Sequence, residues 1–579
     1  MPSLYFALAM QARAKGDRPR AEELLRDALH ADETDKAAQV ALGVLCEESG
    51  RLGEAAERYE RALALDPADA VIGASLGHVL ARLGRFERAL DVLRAAAAAD
   101  PGSADTLASL GGALSEVGRA GEAVDILHRA LAIAPAHAEA LNGLGNALHL
   151  LGRPGEAIEA YRAAVAAKPD FASAHSNLIY TLSLVPAADA AAHRAERDAW
   201  WAAHGAGHAA EAARSRDLDR DPDRRLRVGY VSGHFRRESA AMSFAPVLFA
   251  HDPKAVEWIC YSGTEREDDL TAAFRGAAGL WRETAGLDDA AMAAQIRQDR
   301  IDILVDLAGH MYGNRLPVFA RKPAPVQISA WGEPTGTGLS NMDALFSDPV
   351  HIPETARRHF AETIVDLPCH IHYSRPPAAP PARVAPRDGP FVFGSLNRMA
   401  KLGARTLALW RRVLDALPEA RLLLKDRAFD EASARAHVLG QLGHAERVEF
   451  RGGSPQAAHL AAYDDIDLAL DPTPQNGGVT TYEGLWLGVP AVALLGGTPA
   501  SRTSAAILTA AGLGEFVVES EDGYVALARG WAGRRERLRD LRGRIPATLA
   551  AGPLGDAKLY ARAVEARYRD LWRAFAVMG

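Results

Sequence analysis

Glycines and polar side chains are concentrated in residues 471–490, which read Asp-Pro-Thr-Pro-Gln-Asn-Gly-Gly-Val-Thr-Thr-Tyr-Glu-Gly-Leu-Trp-Leu-Gly-Val-Pro. Gly477 and Gly478 permit a tight backbone turn, after which Thr480 and Thr481 open a helix. Free backbone amides, two hydroxyls and the positive end of a helix therefore converge, which favours the binding of a diphosphate. The alternative is an ordinary helix cap that binds no ligand.

Two further side chains could add chemistry near that loop or at the end of a strand. Glu483 lies one turn into the helix and could accept hydrogen bonds from ribose hydroxyls. His310 follows the predicted strand 301–307, and ligands of open α/β sheets bind at the carboxyl ends of strands, so His310 is predicted to face a cleft. A helix-capping or simply buried histidine remains the alternative for this position.

Short β-type runs alternate with helical segments through the last two thirds of the chain, a pattern that predicts parallel sheets. The first series of runs occupies 226–232, 256–261, 301–307 and 326–330, and the second occupies 391–394, 420–425, 447–450, 466–470 and 491–495. Two Rossmann-like lobes facing each other across a cleft are expected. A helix is predicted over 556–574.

A repeat fills the first third of the chain. An interval of 34 residues separates each of four prolines from the next: Pro67, Pro101, Pro135 and Pro169. Small residues that recur in the same frame would let paired helices approach closely, and each proline would end the second helix of a pair. The pattern resembles the tetratricopeptide repeat (TPR), which implies an α-solenoid of about five repeats plus a partial one.

Composition excludes several classes of protein. The 579-residue chain carries 66 Lys and Arg against 74 Asp and Glu, a formal net charge of −8, which argues against a general nucleic-acid binder. No apolar run approaches the about 18 residues of a membrane span, and the short run at 4–10 lacks the preceding basic residue of a signal peptide. Cys46, Cys260 and Cys369 are far apart, so we expect no disulfide framework, no cysteine-based metal site and a cytoplasmic location.

Four other segments, in chain order with 471–490, resemble the family-41 glycosyltransferases, which include the protein O-GlcNAc transferases. They are Arg227–Ser232, Leu316–Gln327, Phe393–Lys401 and Ser454–His459. The resemblance covers about residues 226–545 and, with the repeats, almost the whole chain. It implies a TPR α-solenoid followed by a GT-B glycosyltransferase of two Rossmann-like lobes, an α plus α/β fold.

The resemblance also implies roles for individual residues. Lys401 would neutralise charge that develops on a departing diphosphate. Asn397 and Arg398 would flank the phosphates, His459 would contact the base or ribose, and Arg502 would be a secondary phosphate contact. The predicted donor-binding set is Asn397, Arg398, His459, Asn476, Gly477, Gly478, Thr480, Thr481, Glu483 and Arg502, and the predicted catalytic set is Lys401, His310 and Glu238.

Glu238 departs from the family, whose members usually carry a histidine at the matching position. It could act as a general base, pair with Arg236 or Arg237, or match a donor of different charge. Glu333 likewise replaces a tyrosine of the family in the loop Gly332–Gly338. The sequence therefore predicts two new carboxylates that face the cleft.

The predicted domains are a TPR solenoid, a linker, an N-terminal acceptor-side lobe, a C-terminal nucleotide-sugar lobe and a C-terminal helix that packs back on the lobes. Their predicted bounds are 1–200, 201–225, 226–385, 386–545 and 546–579.

The implied function is an inverting protein O-glycosyltransferase that needs no metal and no cofactor beyond its nucleotide sugar. The family default is transfer of GlcNAc from UDP-GlcNAc to Ser or Thr of a protein recruited by the repeats. One alternative is a flagellin glycosyltransferase that uses another donor, such as a CMP-linked nonulosonic acid. A second is a non-catalytic TPR scaffold.

Overall fold

The computed structural model describes residues 4–213, 219–333, 335–385 and 388–577. The chain divides into two compact units. The first comprises Met1–Leu148, Glu159–Lys168 and Glu283–Asp288, and the second comprises His149–Ile158, Pro169–Arg282 and Asp289–Gly579. Within the described ranges, no helix is both long and apolar enough to cross a membrane.

The first unit is a series of antiparallel helix pairs, and it confirms the predicted α-solenoid. Its helices, the last two of which extend into the second unit, are α1 Leu4–Ala14, α2 Arg18–Ala31, α3 Lys36–Glu48, α4 Leu52–Leu65, α5 Ala70–Arg82, α6 Phe86–Ala99, α7 Ala104–Glu116, α8 Ala120–Ile133, α9 Ala138–Leu150 and α10 Pro154–Ala167.

Glycine and proline shape these pairs as the sequence predicted. A Cβ atom at Gly77 would lie 2.4 Å from Cγ of Leu93 on the partner helix, so a larger residue would force the pair apart. Helices α4, α6 and α8 each end two residues before a proline of the 34-residue series, because proline cannot continue a helix.

The second unit begins with α11 (Ala172–Leu182) and α12 (Ala190–Trp200) and continues into two α/β lobes. The N-terminal lobe contains β1 Leu226–Ser232, α13 Ser239–Phe249, β2 Val256–Ser262, α14 Asp269–Ala277, β3 Leu280–Glu283, α15 Asp289–Gln298, β4 Ile303–Asp306, α16 Leu316–Ala320, β5 Val326–Ser329, β6 Ala344–Ser347 and β7 Thr363–Asp366.

The C-terminal lobe contains a second sheet with its own helices. Its elements are β8 Val392–Ser395, α17 Ala404–Asp415, β9 Arg421–Lys425, α18 Ala432–Leu442, β10 Val448–Arg451, α19 Gln456–Ala461, β11 Leu468–Leu470, α20 Val479–Trp486, β12 Ala491–Leu494, α21 Thr503–Ala510, β13 Val517–Val518, α22 Glu521–Ala532 and α23 Arg535–Ala550.

Both sheets have the doubly wound topology, which confirms the predicted pair of Rossmann-like lobes. The strand order is β3-β2-β1-β4-β5-β6-β7 in the N-terminal lobe and β10-β9-β8-β11-β12-β13 in the C-terminal lobe. The central pairs β1–β4 and β8–β11 are parallel. The order reverses at these two pairs, and ligands of such folds bind beyond the carboxyl ends of the strands at that point.

The final helix, α24 (Ala557–Val577), packs into the core of the N-terminal lobe. The indole of Trp331 donates to the Tyr560 hydroxyl at 3.1 Å, and the hydroxyls of Tyr230 and Tyr568 lie 3.0 Å apart. The chain therefore returns to its first lobe after completing the second.

The first half of the predicted linker, 201–225, is helical in the structure. Residues 201–213 continue α12 in further helical turns, and the predicted linker residues 214–218 lie outside the described residues. Pro334, the predicted lobe boundary at 386 and the last two residues of the predicted 546–579 segment also lie outside them.

Candidate active site

The loops that follow the central strands of the two sheets carry most of the residues singled out from the sequence. In the C-terminal lobe, β8 leads to residues 396–401, and β11 leads to residues 471–481, here called the Gly-Thr loop. In the N-terminal lobe, β1 leads to residues 233–238 and β4 leads to residues 307–310. The doubly wound topology is what gathers these distant segments at strand ends.

The Gly-Thr loop is held by its own first residue. The amide of Gly477 donates to Oδ1 of Asp471 at 2.8 Å, and the Ser504 hydroxyl donates to the carbonyl of Gly477 at 2.8 Å. A Cβ atom at Gly477 would lie 2.6 Å from Oγ1 of Thr481 and 2.8 Å from Oγ1 of Thr480. Position 477 therefore requires glycine, because a side chain there would collide with the two threonine hydroxyls at the start of α20.

Asn476 leaves a polar atom unsatisfied in this loop. Its side-chain amide donates to the carbonyl of Pro472 at 2.9 Å. Its Oδ1 is buried and has no hydrogen-bond partner among the described residues. Buried acceptors are normally paired, so this oxygen is available to a bound donor group.

Lys401 extends toward the same loop and donates to the carbonyl of Asn476 at 2.6 Å. Burial lowers the pKa of Lys401, the positive charge of Arg398 acts in the same direction, and Asp471 opposes them. Burial raises the pKa of Asp471 in turn. An ammonium group in this position would gain from an anion brought to it, because an added negative charge stabilises its protonated form.

Asn397 and Arg398, which precede Lys401, have different partners. Oδ1 of Asn397 accepts from the Thr480 hydroxyl at 3.0 Å, so the β8 loop is joined directly to the start of α20. The Arg398 guanidinium donates to the Tyr180 hydroxyl of α11 at 3.0 Å. Of the two, Asn397 is the one that lies within the Gly-Thr loop's own hydrogen-bond network.

Glu483 and His459 form the predicted nucleoside side of this group. Nε2 of His459 lies 3.4 Å from Oε2 of Glu483, and the Tyr373 hydroxyl donates to Oε1 of Glu483 at 3.0 Å. The Glu483 side chain is 8% exposed and that of His459 is 28% exposed. The histidine therefore offers the more accessible edge.

The Arg502 guanidinium donates hydrogen bonds to backbone carbonyls of both lobes. Its Nε donates to the carbonyl of Val350 at 2.6 Å, and one terminal nitrogen donates to the carbonyl of Gly496 at 2.8 Å. These contacts hold a loop of the N-terminal lobe against the end of β12. They do not direct the guanidinium toward the Gly-Thr loop.

Glu238 is paired within its own loop. Its Oε1 accepts from Nε of Arg236 at 2.7 Å and lies 3.0 Å from Nδ1 of His234. Burial disfavours the carboxylate, but the hydrogen bonds from His234 and Arg236 outweigh burial and lower the pKa of Glu238 to about 2. The carboxylate is thus ionised and neutralised locally, and it starts α13 as its N-cap residue.

His310, which was expected to face the cleft, is enclosed by neighbouring segments of the chain. The ring is fully buried, with Nε2 2.9 Å from the carbonyl of Thr337 and Nδ1 3.2 Å from the Ser176 hydroxyl of α11. Burial lowers the pKa of His310 to about 3. The alternative interpretation, a buried histidine that ties elements together, describes the observed contacts, and its catalytic role stays a prediction.

Glu333 is likewise turned inward and not toward the cleft. It accepts from the Thr335 hydroxyl at 2.6 Å and from the His310 amide at 3.1 Å. Burial raises the pKa of Glu333 to about 7. Glu238 is thus paired within its loop and remains partly exposed, whereas Glu333 is buried in the loop that contains it.

Sequence reasoning missed the contribution of α12 to this loop. The buried guanidinium of Arg197 donates to the carbonyls of Thr335 and His359. Gly338 has a φ of +76°, and a Cβ atom there would lie 2.5 Å from Cβ of Arg197. The only sequence signal was the pair of glycines around Thr337, since Arg197 lies far away in the chain.

A repeat solenoid joined to two doubly wound lobes, with glycine-rich loops at their central strand ends, defines a TPR-containing GT-B protein. The family model named Glycosyl transferase family 41 matches residues 204–372 and 383–564, and tetratricopeptide models match 6–70, 47–114 and 102–170. This chain belongs to glycosyl transferase family 41.

A solved structure and curated relatives agree with that assignment. The structure of a lysine-to-methionine mutant of the Thermobaculum terrenum O-GlcNAc transferase superposes with a TM-score of 0.83 at 33% sequence identity, covering 89% of this chain and 99% of that one. The probable UDP-N-acetylglucosamine–peptide N-acetylglucosaminyltransferase SPINDLY of Oryza sativa subsp. japonica is 34% identical over 365 residues, 61% of this chain and 39% of the relative.

A second plant relative is more distant. The probable UDP-N-acetylglucosamine–peptide N-acetylglucosaminyltransferase SEC of Arabidopsis thaliana is 27% identical over 365 residues, 60% of this chain and 37% of the relative. The chain thus matches about two fifths of the length of these curated relatives.

Proposed function

We propose that this chain transfers N-acetylglucosamine from UDP-GlcNAc to a Ser or Thr hydroxyl of a protein acceptor. The acceptor oxygen bonds to the anomeric carbon while the bond from that carbon to the diphosphate breaks, and the departing diphosphate takes up the acceptor proton. Attack from the face opposite the leaving group inverts the anomeric centre. The family membership and the names of the relatives support this choice of donor.

The observation that carries the proposal is the position of Lys401. Its ammonium group touches the carbonyl of Asn476 in the loop that leads into α20. A diphosphate there would meet the cation, the helix start and the hydroxyls of Thr480 and Thr481 together. Fixed positive charge beside a leaving group stabilises the transition state more than the ground state, because negative charge grows there as the bond breaks.

The remaining residues would hold the nucleoside and keep the loop in shape. His459 and Glu483 offer a ring edge and a carboxylate for the base and ribose. Asn397 would act by fixing Thr480. In this scheme Lys401 and α20 supply the charge that a metal ion supplies in other transferases, so the transfer step needs no metal.

The local pairing of Glu238 affects which nucleotide sugar is expected as the donor. Because Arg236 neutralises the charge of Glu238, that charge does not have to be offset by a donor with a different charge layout. The main sequence argument for a donor such as a CMP-linked sugar therefore loses weight. The acceptor is proposed to be a protein held by the repeats, with flagellin as one candidate.

The test compares nucleotides and turnover in the same protein. We expect calorimetry to give tighter binding of UDP than of CMP, and UDP-GlcNAc to release UDP in the presence of acceptor. Lys401→Met should abolish most of this release, whereas Lys254→Met, a change at an exposed lysine before β2, should not. Tighter binding of CMP, or equal turnover in the two variants, would reject the proposal.

A further inference from the structure

A second group of chemically capable side chains lies outside the candidate active site, in the loops that follow β6 and β7. One oxygen of Asp348, the sulfur of Cys369 and a ring nitrogen of His370 lie within 4.8 Å of one another. Cys369 and His370 are fully inaccessible to solvent, and Asp348 is 4% exposed. The proposed transfer step uses none of the three.

The separations suit a tetrahedral metal ion. Nδ1 of His370 lies 2.9 Å from Oδ2 of Asp348 and 3.7 Å from Sγ of Cys369. Ligand atoms bound at the usual zinc distances, about 2.0–2.3 Å, lie about 3.3–3.8 Å apart. The first of these separations is shorter than that range, the second lies within it, and the third, between Asp348 and Cys369, is no more than 4.8 Å.

The donor atoms are held in place by a surrounding shell. Oδ1 of Asp348 accepts from the amides of Val350 at 2.9 Å and His351 at 2.8 Å, and Oδ2 accepts from the amide of His370 at 2.8 Å. The Tyr560 hydroxyl donates to the carbonyl of Cys369 at 2.8 Å. Outer contacts of this kind orient ligands in metal sites.

Two imidazole nitrogens in the group have no partner. The rings of His351 and His370 stack with centroids 4.0 Å apart and planes within 1°. Nε2 of each ring is buried and lacks a hydrogen-bond partner among the described residues. Buried polar atoms without partners are uncommon, so these two mark a place for a water molecule beside the cluster, on the side of the His370 ring away from Nδ1.

We propose that Asp348, Cys369 and His370 bind one divalent transition-metal ion, with zinc as the best match. A thiolate and an imidazole beside one carboxylate suit zinc and exclude magnesium and calcium, which prefer oxygen ligands. Binding displaces the proton of the Cys369 thiol, and His370 coordinates through Nδ1 as a neutral ring that carries its proton on Nε2. Water takes the fourth tetrahedral position.

The position of the cluster gives the ion a structural role. The segment after Cys369 carries the chain from the N-terminal lobe toward the C-terminal lobe and contacts α20. The Tyr482 hydroxyl donates to the carbonyl of Ile371 at 3.0 Å, and the Trp486 indole donates to the carbonyl of Tyr373 at 2.9 Å. An ion at Cys369 would therefore fix the segment that supports α20 without touching a nucleotide.

The sequence alone predicted no cysteine-based metal site, because Cys369 has no neighbouring cysteine. The fold brings Asp348, 21 residues earlier in the chain, beside Cys369, a proximity that cysteine spacing does not reveal. The parallel pairing of β6 and β7 places the two loops at one edge of the sheet.

The test uses the untagged full chain, stripped with a chelator and titrated with Co²⁺. We expect one equivalent to bind, with visible bands of a tetrahedral ion and a near-ultraviolet thiolate-to-cobalt band, and zinc to displace it. Cys369→Ser should remove the thiolate band, while Cys260→Ser, at a buried cysteine in β2, should retain it.

The wild-type spectrum decides the matter even if Cys369→Ser fails to fold. Absence of a stoichiometric cobalt complex in the folded wild-type protein would overturn the proposal. So would a thiolate band that persists in a folded Cys369→Ser variant or disappears in Cys260→Ser. In a further variant, His370→Gln, we expect cobalt affinity to fall at least about 10-fold, the scale of losing support at a metal site.

Discussion

Lys401 is the residue on which the proposed chemistry depends most. It is enclosed between the β8 loop and the Gly-Thr loop, where its ammonium group donates to the carbonyl of Asn476. A cation held so close to a loop carbonyl is already oriented for an anion that enters beside it. The attraction between this cation and the leaving group strengthens as negative charge develops on the leaving group.

Replacing Lys401 by Met should lower turnover by about 100-fold or more, the scale of losing one transition-state electrostatic contact. The apolar chain of Met fills similar volume, so folding should persist. Single-turnover kinetics with saturating donor measures the effect, and Lys254→Met serves as the matched control. Wild-type turnover in Lys401→Met would remove this lysine from the site.

The sequence left several roles open for Glu238, and in the structure its carboxylate is paired with residues of its own loop. Its pKa falls from 4.5 to about 2, so the ionised folded state is stabilised above the unfolded pKa. That contribution is lost as pH falls through the window from about 4.5 to about 2. The Glu238→Gln variant lacks this stabilisation at every pH.

The difference in denaturation midpoint between wild type and Glu238→Gln should therefore be largest near neutral pH and should shrink between about pH 4.5 and pH 2. Donor affinity at neutral pH should change little. A difference that does not vary with pH, or a large loss of donor affinity, would show that the carboxylate is not engaged in the loop pair.

At the level of elements, most strands with continuous apolar runs were predicted from the sequence, and four strands were missed. Runs such as Leu226–Ser232 and Ala491–Leu494 are almost continuously buried, and their hydrophobicity marks them in the sequence. β3, β7 and β13 were missed because they are short and only partly buried. β6 was also missed, although it is fully buried and has the same length as β12, which was predicted.

The site was predictable where its chemistry is local and unpredictable where distant elements supply it. The Gly-Thr loop carries its own signal, since its glycines, threonines and helix start are contiguous. Arg197, by contrast, acts on Thr335 across a sequence separation of 138 residues. His310 had the right position at a strand end, but contacts from α11 bury it.

Helix α12 is part of the structure that shapes the loop Gly332–Gly338. Gly338→Ala should destabilise the protein more than Gly389→Ala, although both glycines have positive φ values, +76° and +94°. Both variants incur backbone strain of about 1–3 kcal/mol. The methyl group added at Gly338 would collide with Arg197, whereas no atom of the described residues lies within 4 Å of the corresponding position at Gly389. Thermal unfolding of the two variants measures the comparison.

Equal melting temperatures for Gly338→Ala and Gly389→Ala would contradict this contribution of α12. A larger loss in Gly389→Ala would contradict it as well. Donor binding in the Gly338→Ala variant then reports whether the loop shape affects the nucleotide side.

On the scale of the whole molecule, the unit boundary predicts where the chain can be cut. The second compact unit includes α11 and α12, whose Ser176 and Arg197 contact the N-terminal lobe. A chain beginning at His149 should therefore fold and bind UDP, while one beginning at Asp219 should melt at a lower temperature. The longer chain should still fail to modify the protein acceptor, because it lacks most of the repeats.

Calorimetry with UDP and melting curves of the two shortened chains check both halves of this expectation. Equal melting temperatures would show that α11 and α12 are dispensable for the lobes. Undiminished transfer to the protein acceptor by the chain that begins at His149 would show that the repeats do not select the acceptor.

The proposed reaction attaches N-acetylglucosamine to a protein. The most direct measurement is the intact mass of candidate acceptor proteins co-expressed with the wild-type chain or with Lys401→Met. We expect an added mass of one or more N-acetylhexosamine units with wild type, and none with Lys401→Met. An added mass of a different sugar, or the same addition with both chains, would contradict it.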